Sequence, residues 1–205
     1  MTQTIDIDTP HGPARAHLHH ADRPRAALVL GHGAGGGVEA PDLKAATAEA
    51  LERGVSVALV EQPYRVAGKK SSPRPNQLDP AWLAVTAHLA GHELEGLPQI
   101  TGGRSAGARV ACRTAAESGA VGVLCLAFPL QPPARKDGSQ SESRQGELDA
   151  VELPVLVVQG TSDPFGMPAA GPNREVVTVA GNHGLKADLP AVSEAVAAWL
   201  ARIGG

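Results

Sequence analysis

Continuous apolar runs alternate with amphipathic stretches along most of this chain. Continuous runs of this kind are typical of parallel strands that are buried on both faces. Four of them predict central strands, at residues 26–30, 55–60, 121–128 and 154–158. Two shorter strands are predicted at 98–102 and 174–179. Residues 3–8 alternate apolar and polar side chains, and a turn separates them from 13–19, so we expect an amino-terminal hairpin.

The stretches between the strands have helical periodicity and helical end signals. Helices are predicted from Pro41 to a stop at Gly54, from Asp79-Pro80 to Gly91, and from Ala106 to Ser118 with Gly119 as the carboxyl cap. A last helix carries an apolar stripe at Val192, Ala195, Val196, Trp199 and Leu200. Alternating strands and helices predict an α/β fold, with a mostly parallel sheet of about seven or eight strands and helices on both faces. We expect one domain over residues 1–205.

Composition narrows the class of protein. The 205 residues contain 42% hydrophobic residues, an ordinary content for a globular protein. Their net charge of −3 argues against nucleic acid or an anionic membrane as a partner. The amino terminus has neither a basic nor a long apolar run, so we expect a cytoplasmic protein without a membrane span. Cys112 and Cys125 are interpreted as reduced and buried, and no cysteine or histidine spacing indicates a metal.

The strongest chemical signal is the segment Gly103-Arg104-Ser105-Ala106-Gly107, a G-x-S-x-G motif between a predicted strand and a predicted helix. In such a tight strand–turn–helix the central serine hydroxyl projects from the turn. Side chains at the two glycine positions would collide with neighbouring elements. We therefore interpret Ser105 as a nucleophile.

A serine nucleophile needs a base and an acid that orients the base. His183 is the only histidine after Ser105, and it follows the last predicted strand. Asp163 follows the preceding strand, although an Asp-Pro pair is also common in turns. The competing acids, which are Glu61, Asp137 and Asp149, are less well placed.

Backbone N–H groups are the expected donors to a developing oxyanion. Ala106 follows the nucleophile at a helix amino terminus, and Ala34 lies in the glycine-rich loop after the first central strand, with Gly35 as a close alternative. No G-K-[ST] sequence follows this loop, which argues against a phosphate loop.

Side chains at the carboxyl ends of the strands are candidates for the substrate pocket. Aromatic residues make up only 2% of the chain, yet Tyr64, Phe128 and Phe165 all lie there. Hydrophobic closure of the sheet edge is the competing explanation. Arg104 and Arg65 are candidates for binding a substrate carboxylate, or else for salt bridges between loops. The polar segments 65–77 and 134–149 are predicted to be loops.

Five blocks in order resemble one family. They are Gly31-His32-Gly33-Ala34-Gly35-Gly36, residues 102–109, Phe128-Pro129-Leu130-Gln131-Pro132-Pro133, residues 159–166 and Gly181-Asn182-His183. The chain is similar to the small α/β-hydrolases without a cap domain that are related to dienelactone hydrolases, a group that also includes eukaryotic hydrolase-like regulatory proteins. The resemblance implies an α/β-hydrolase fold, the order Ser105, Asp163, His183 for a catalytic triad, and the oxyanion loop. Because the chain has no room for a cap domain or a long insertion, we expect an open, shallow pocket. Dienelactone hydrolases use cysteine where this chain has Ser105.

These observations favour a cofactor-independent serine hydrolase acting on small esters or thioesters. Two alternatives remain open at this point. One is a binding or scaffold protein that keeps the fold, and the other is an acyltransferase with the same triad.

Overall fold

Eight strands form one sheet within the part of the chain that the computed structural model describes, which is residues 2–132, 134 and 138–203. The strands are β1 (Thr2–Ile7), β2 (Ala14–His19), β3 (Ala26–Gly31), β4 (Val55–Glu61), β5 (Gln99–Arg104), β6 (Gly122–Leu126), β7 (Val155–Gly160) and β8 (Arg174–Val179). The helices are α1 (Pro41–Glu52), α2 (Pro63–Val66), α3 (Pro75–Gly91), α4 (Ala106–Thr114), α5 (Gln145–Asp149) and α6 (Leu189–Ile203). Pro133 and Asp137 lie outside the described residues.

The strand order is β1-β2-β4-β3-β5-β6-β7-β8, and the sheet is parallel from β4 to β8. The predicted amino-terminal hairpin is confirmed, and its second strand joins β4 in the antiparallel sense. From β3 the chain passes to β4 on one side, and later returns to β5 on the other. The carboxyl ends of β3 and β5 therefore border the point where the strand order reverses, the usual binding crevice of such sheets.

Helices cover both faces of the sheet, and the central strands are buried on both sides. In β3, Leu28 and Leu30 belong to the core under α1 and α6, whereas Ala27 and Val29 belong to the core under α3. This two-sided burial explains why the strand is apolar at every position. The predicted stripe of α6 is buried as expected. Within the described residues no separate cap domain covers the carboxyl edge.

The start of α3 differs from the prediction. The helix begins at Pro75, and Pro80 lies inside it rather than at its cap. Pro75 has the fixed φ that suits a first helical position, and Leu78 is buried, so the helix gains an extra turn. The segment 65–77, predicted to be a loop, also includes part of α2.

Two further boundaries differ. α4 ends at Thr114, four residues before the predicted end, while Gly119 has the positive φ of 68° that a cap position requires. The polar segment 134–149 contains α5, because Leu148 is completely buried and anchors one turn of helix against the core. A single apolar residue was too weak a periodic signal to predict this helix.

Neither cysteine forms a disulfide. Cys112 in α4 and Cys125 in β6 are buried, with their sulfur atoms 3.5 Å apart. Among the described residues, no helix is both long and apolar enough to span a bilayer. The same residues contain no cluster of three or more metal-binding side chains.

Candidate active site

Ser105 occupies a strained turn between β5 and α4. Its φ of 52° and ψ of −107° lie in a region that costs a non-glycine residue about 1–3 kcal/mol. The turn is held by two hydrogen bonds: Ser105 N–H donates to the carbonyl of Leu126 at 2.9 Å, and Arg109 N–H donates to the carbonyl of Ser105 at 3.2 Å. The backbone is thus fixed on both sides of the serine.

The motif glycines are required by close backbone contact with β3. A Cβ atom on Gly103 would lie 2.4 Å from the carbonyl oxygen of Gly31, and one on Gly107 would lie 2.5 Å from the same atom. Gly103 also has a φ of 156°, which side-chain-bearing residues rarely adopt. The end of β3 and the start of α4 therefore meet without intervening side chains.

Ser105, His183 and Asp163 form one chain of hydrogen bonds at the carboxyl edge. His183 Nε2 lies 2.9 Å from Ser105 Oγ, and His183 Nδ1 lies 2.8 Å from Asp163 Oδ2. Because an ionised carboxylate can only accept, Nδ1 carries the proton, and Nε2 accepts from the serine hydroxyl. Such an arrangement can withdraw a proton from Ser105.

The Asp163 carboxylate is held on both oxygens, and only 1% of its side chain is exposed. Phe165 N–H donates to Oδ1 at 2.9 Å, which is the turn contact expected of an Asp-Pro segment. Gln159 Nε2 donates to Oδ2 at 2.9 Å and to the carbonyl of Phe128 at 3.0 Å. Asp163 therefore combines the turn role with a fixed orientation toward His183.

The loop after β3 lies directly against Ser105. A Cβ atom on Gly33 would be 3.6 Å from Ser105 Cβ, and Ala34 and Ala106 border the same cavity as the serine hydroxyl. Tyr64 secures this loop, since its hydroxyl donates to the carbonyl of Ala34 at 2.8 Å. Burial raises the pKa of Tyr64, so the hydroxyl keeps its proton for this bond.

His32 secures the base of the same loop. It is buried, and its Nδ1 donates to the carbonyl of Gly33 at 2.8 Å while its Nε2 accepts the N–H of Gln62 at 3.1 Å. Both contacts use the neutral imidazole. Burial lowers the pKa of His32, which favours that neutral form.

Arg104 joins three parts of the site. Its Nε lies 3.0 Å from Asp42 Oδ2 at the start of α1, and its Nη2 donates to the carbonyl of His183 at 3.0 Å. Burial raises the pKa of Asp42, and the neighbouring Arg104 opposes that rise. These contacts match the salt-bridge interpretation of Arg104 rather than a role in binding substrate carboxylate.

A cavity of about 280 Å³ opens beside Ser105. Its lining comes from the loop after β3, from α3 and the segment before it, from the serine turn and α4, and from the segments after β6 and β7. The lining residues are Ala34, Ser72, Pro73, Pro75, Leu78, Ser105, Ala106, Arg109, Arg113, Pro129, Arg144 and Phe165. We call Ser72, Pro73, Pro75, Leu78, Pro129 and Arg144 the outer wall.

The three aromatic candidates have different positions. Phe165 lines the cavity and packs edge-on against His183, with ring centroids 4.5 Å apart. Tyr64 lies behind the loop after β3 instead. The prediction that Phe128 lines the pocket is wrong, because its side chain is completely buried in the core between α4 and the sheet.

The competing residues are engaged elsewhere. Glu61 binds His17 at 3.0 Å, and Asp149 binds Arg174 at 2.8 Å. Arg65 donates to the carbonyl of Lys69 at 3.3 Å.

Several residues at the site had no role in the sequence-based hypothesis. Gln159 is a polar residue at the end of an apolar strand, and that contrast was a usable signal. Arg109 and Arg113 lie four and eight positions after Ser105, which places them on its side of a helix. Nothing in the sequence pattern connects Arg144 to them, since it comes from a separate segment.

A parallel sheet with this serine turn after β5, an aspartate after β7 and a histidine after β8 defines the class of α/β hydrolases. Residues 24–186 match the family model described as "Alpha/beta hydrolase domain". The chain therefore belongs to the α/β-hydrolase family. Among curated proteins, none matches the sequence.

Solved structures share the fold at low sequence identity. XC6422 from Xanthomonas campestris, described as an α/β serine hydrolase without a lid, has a TM-score of 0.78 and 18% identity over 98% of this chain and 94% of its own. Est1E from Butyrivibrio proteoclasticus with bound ferulic acid has a TM-score of 0.79 and 19% identity, over 97% of this chain and 98% of its own. A dienelactone hydrolase from Anabaena variabilis has a TM-score of 0.77 and 15% identity, over 99% of this chain and 98% of its own. The chain is thus similar in fold to esterases and serine hydrolases.

Proposed function

We propose that the protein is a serine hydrolase that cleaves small carboxylic esters or thioesters through an acyl-enzyme on Ser105. The observation that carries this proposal is the hydrogen-bonded chain from Ser105 through His183 to Asp163, at 2.9 and 2.8 Å. A nucleophile, a base and an acid that orients the base are the groups that acyl transfer requires.

The reaction proceeds in two halves. Ser105 Oγ attacks the acyl carbon as its proton passes to His183 Nε2, and His183 then gives that proton to the departing alcohol or thiol. Water loses a proton to His183 and attacks the acyl-enzyme, which releases the carboxylic acid and returns the proton to Ser105. Throughout, Asp163 accepts a hydrogen bond from the Nδ1–H group of His183, which keeps its proton, and stabilises the imidazolium.

The oxyanion of each tetrahedral intermediate accepts hydrogen bonds from the N–H groups of Ala34 and Ala106. Ala106 is the first residue of α4, where the helix dipole also favours negative charge. Loss of one such donor typically costs a factor of about 100–1,000 in turnover. The Tyr64 bond to the Ala34 carbonyl supports this role, since it fixes the peptide group that follows Ala34. The His32 bond to the Gly33 carbonyl fixes the peptide group that carries the Ala34 N–H.

The size of the cavity supports small acyl groups. About 280 Å³ beside Ser105 is near the lower end of ligand pockets. Two of the structures that share the fold also support a small substrate, since one is Est1E with bound ferulic acid and the other is a dienelactone hydrolase.

The test is hydrolysis of 4-nitrophenyl acetate and butyrate, together with labelling by a fluorophosphonate probe. Ser105→Ala should lower kcat at least about a thousandfold and abolish labelling. Ser118→Ala, which removes a partly buried hydroxyl beyond the carboxyl end of α4, is the matched control. A wild-type protein that neither hydrolyses these esters nor reacts with the probe would overturn the proposal. Product analysis with a competing alcohol separates hydrolysis from acyl transfer.

A further inference from the structure

Three arginine side chains border the cavity next to Ser105. Arg109 and Arg113 lie on α4, four and eight residues after the serine, and Arg144 precedes α5. At 1.5 Å per residue, the two α4 positions are about 6 and 12 Å from Ser105 along the helix axis. We call these three residues the arginine cluster.

Two members of the arginine cluster are paired. Arg109 donates to both oxygens of Glu147, at 2.8 and 2.5 Å. Arg113 donates to both oxygens of Asp79, at 2.8 and 2.6 Å. These two-pronged contacts between planar groups are the strongest form of arginine–carboxylate pairing, so both charges are compensated.

Arg144 is fixed in place without a carboxylate. Its backbone N–H donates to the carbonyl of Leu130 at 2.8 Å, and its side-chain Nη1 donates to the carbonyl of Pro129 at 2.9 Å. In the described part of the chain no carboxylate lies within ion-pair distance of it. Burial lowers the pKa of Arg144 most, Arg109 and Arg113 lower it further, and Glu147 opposes these effects.

Among the described residues the charges in this part of the cavity therefore do not balance. Three guanidinium groups face the two carboxylates of Asp79 and Glu147, which leaves one positive charge. Arg144 uses one of its five side-chain N–H groups on Pro129, and no other described residue accepts a hydrogen bond from the remaining four. The rest of the outer wall is largely apolar, with Pro73, Pro75 and Leu78.

We propose that this cavity selects substrates that carry a carboxylate. Arg144 binds the carboxylate, and the apolar residues of the outer wall contact the part of the substrate between the carboxylate and the ester. The proposal rests on the proposed function and names its substrate class. A guanidinium matches a carboxylate with two parallel hydrogen bonds. A wholly neutral ester would cover this charge without compensating it, at a cost in binding free energy.

The carboxylate can belong to the acyl part or to the alcohol part of the ester, and two substrate pairs distinguish these sources. On the acyl side, mono-4-nitrophenyl adipate is compared with methyl 4-nitrophenyl adipate. On the alcohol side, 4-acetoxybenzoate is compared with its methyl ester. In one of the pairs the anionic ester should have a kcat/KM at least about tenfold higher, and added KCl should reduce this preference. Equal values within both pairs would overturn the proposal.

Variants of Arg144 test whether this residue causes the preference for anionic esters. Arg144→Gln should reduce the anionic-to-neutral ratio of kcat/KM about tenfold, and Arg144→Lys should restore part of it, because lysine keeps the charge but not the fork. Arg202→Gln, which removes a positive charge on α6 that is paired with Glu175 on β8, should leave the ratio unchanged. An unchanged ratio in Arg144→Gln would refute the assignment.

A binding experiment separates this proposal from the proposed function. Adipate should bind to Ser105→Ala in calorimetry, and Arg144→Gln in the same background should weaken that binding about tenfold. Hydrolysis of neutral esters without any preference for charge would defeat only the carboxylate proposal. Charge-dependent binding in a protein that no fluorophosphonate labels would defeat only the proposed hydrolase activity.

Discussion

The cavity beside Ser105 has two sides that are built in different ways. On the sheet edge, formed by residues 31–34 and 102–107, backbone lies against backbone, and a Cβ on Gly107 would be 2.5 Å from a carbonyl oxygen of β3. The outer wall consists of side chains from separate segments, and its Arg144 is held by carbonyl groups of the chain after β6. The sheet edge carries the proposed chemistry, and the outer wall carries the proposed selectivity.

This difference has a physical origin. Backbone groups in contact cannot move without disturbing the strands to which they belong, so the sheet edge tolerates only residues of the right size. A long side chain on a surface segment can be replaced while the segment keeps its position. Substitutions at the sheet edge should therefore affect folding and turnover, whereas those in the outer wall should affect the choice of substrate.

The largest effect that we expect is a loss of stability, and it is tested by comparing substitutions of two glycines. Gly107→Ala places a methyl group into the backbone of Gly31 and should lower the free energy of unfolding by about 3 kcal/mol. Gly146→Ala, in α5 after the outer wall, meets no atom within 4 Å and should change it by less than about 1 kcal/mol, toward greater stability. Urea unfolding of both variants measures the contrast. Similar losses in the two would contradict the distinction between the two sides.

Gln159→Leu should have the next largest effect, and it tests whether the carboxyl end of β7 orients the triad. The variant removes the hydrogen bond that Gln159 donates to Asp163 Oδ2. A hydrogen bond to a charged group contributes about 1.5–3 kcal/mol, so we expect kcat for 4-nitrophenyl butyrate to fall about 10- to 100-fold. KM should change much less, because Gln159 does not border the cavity.

The control for this variant is Gln99→Leu. Gln99 is also a buried strand glutamine, but it lies at the amino end of β5 and donates to the carbonyl of Thr86. The Gln99→Leu variant should lose stability to a similar extent as Gln159→Leu, and it should keep the wild-type kcat. Equal loss of kcat in both variants would mean that Gln159 acts only through general packing.

The same contrast explains what the sequence could reveal. The strands, the helix faces and the serine turn follow from local patterns, because two-sided burial and close backbone contact leave few residue choices. The order of Ser105, Asp163 and His183 along the chain was sufficient to predict their meeting, since parallel strands end at one edge. Assignment of catalytic roles to these residues remains a prediction that the Ser105 experiment tests.

The outer wall could not be predicted in this way. Arg144 and Arg113 approach the cavity from different segments, and no periodicity relates their positions. Leu148, which anchors α5, is one apolar residue in a polar stretch. Phe128 was misplaced because a residue just beyond a strand can turn toward the core or toward the site. Long-range packing decides that direction, and the local pattern does not contain it.

Acid should also distinguish the two sides of the cavity. At the sheet edge, burial lowers the pKa of His32, so the folded protein takes up its proton at a lower pH than the unfolded chain does. The stability that depends on neutral His32 is complete above the ordinary histidine pKa of about 6.5 and is lost as the pH falls below it. In the segment after the outer wall, hydrogen bonds from Gln145 and Arg174 lower the pKa of Asp149. That contribution is lost only below about pH 4.

The smallest expected effect is therefore a difference in slope between pH 7 and pH 5. One proton taken up only by the unfolded chain changes the unfolding free energy by at most about 1.4 kcal/mol per pH unit. His32→Gln should flatten the decline of stability over this range, even though it loses stability at pH 7 with the contacts to Gly33 and Gln62. His20→Gln, which removes an exposed histidine, should keep the wild-type slope. Parallel curves for wild type and His32→Gln in urea unfolding would show that acid acts elsewhere. A flattened curve would show that His32, at the base of the loop that lies against Ser105, accounts for the loss of stability in acid.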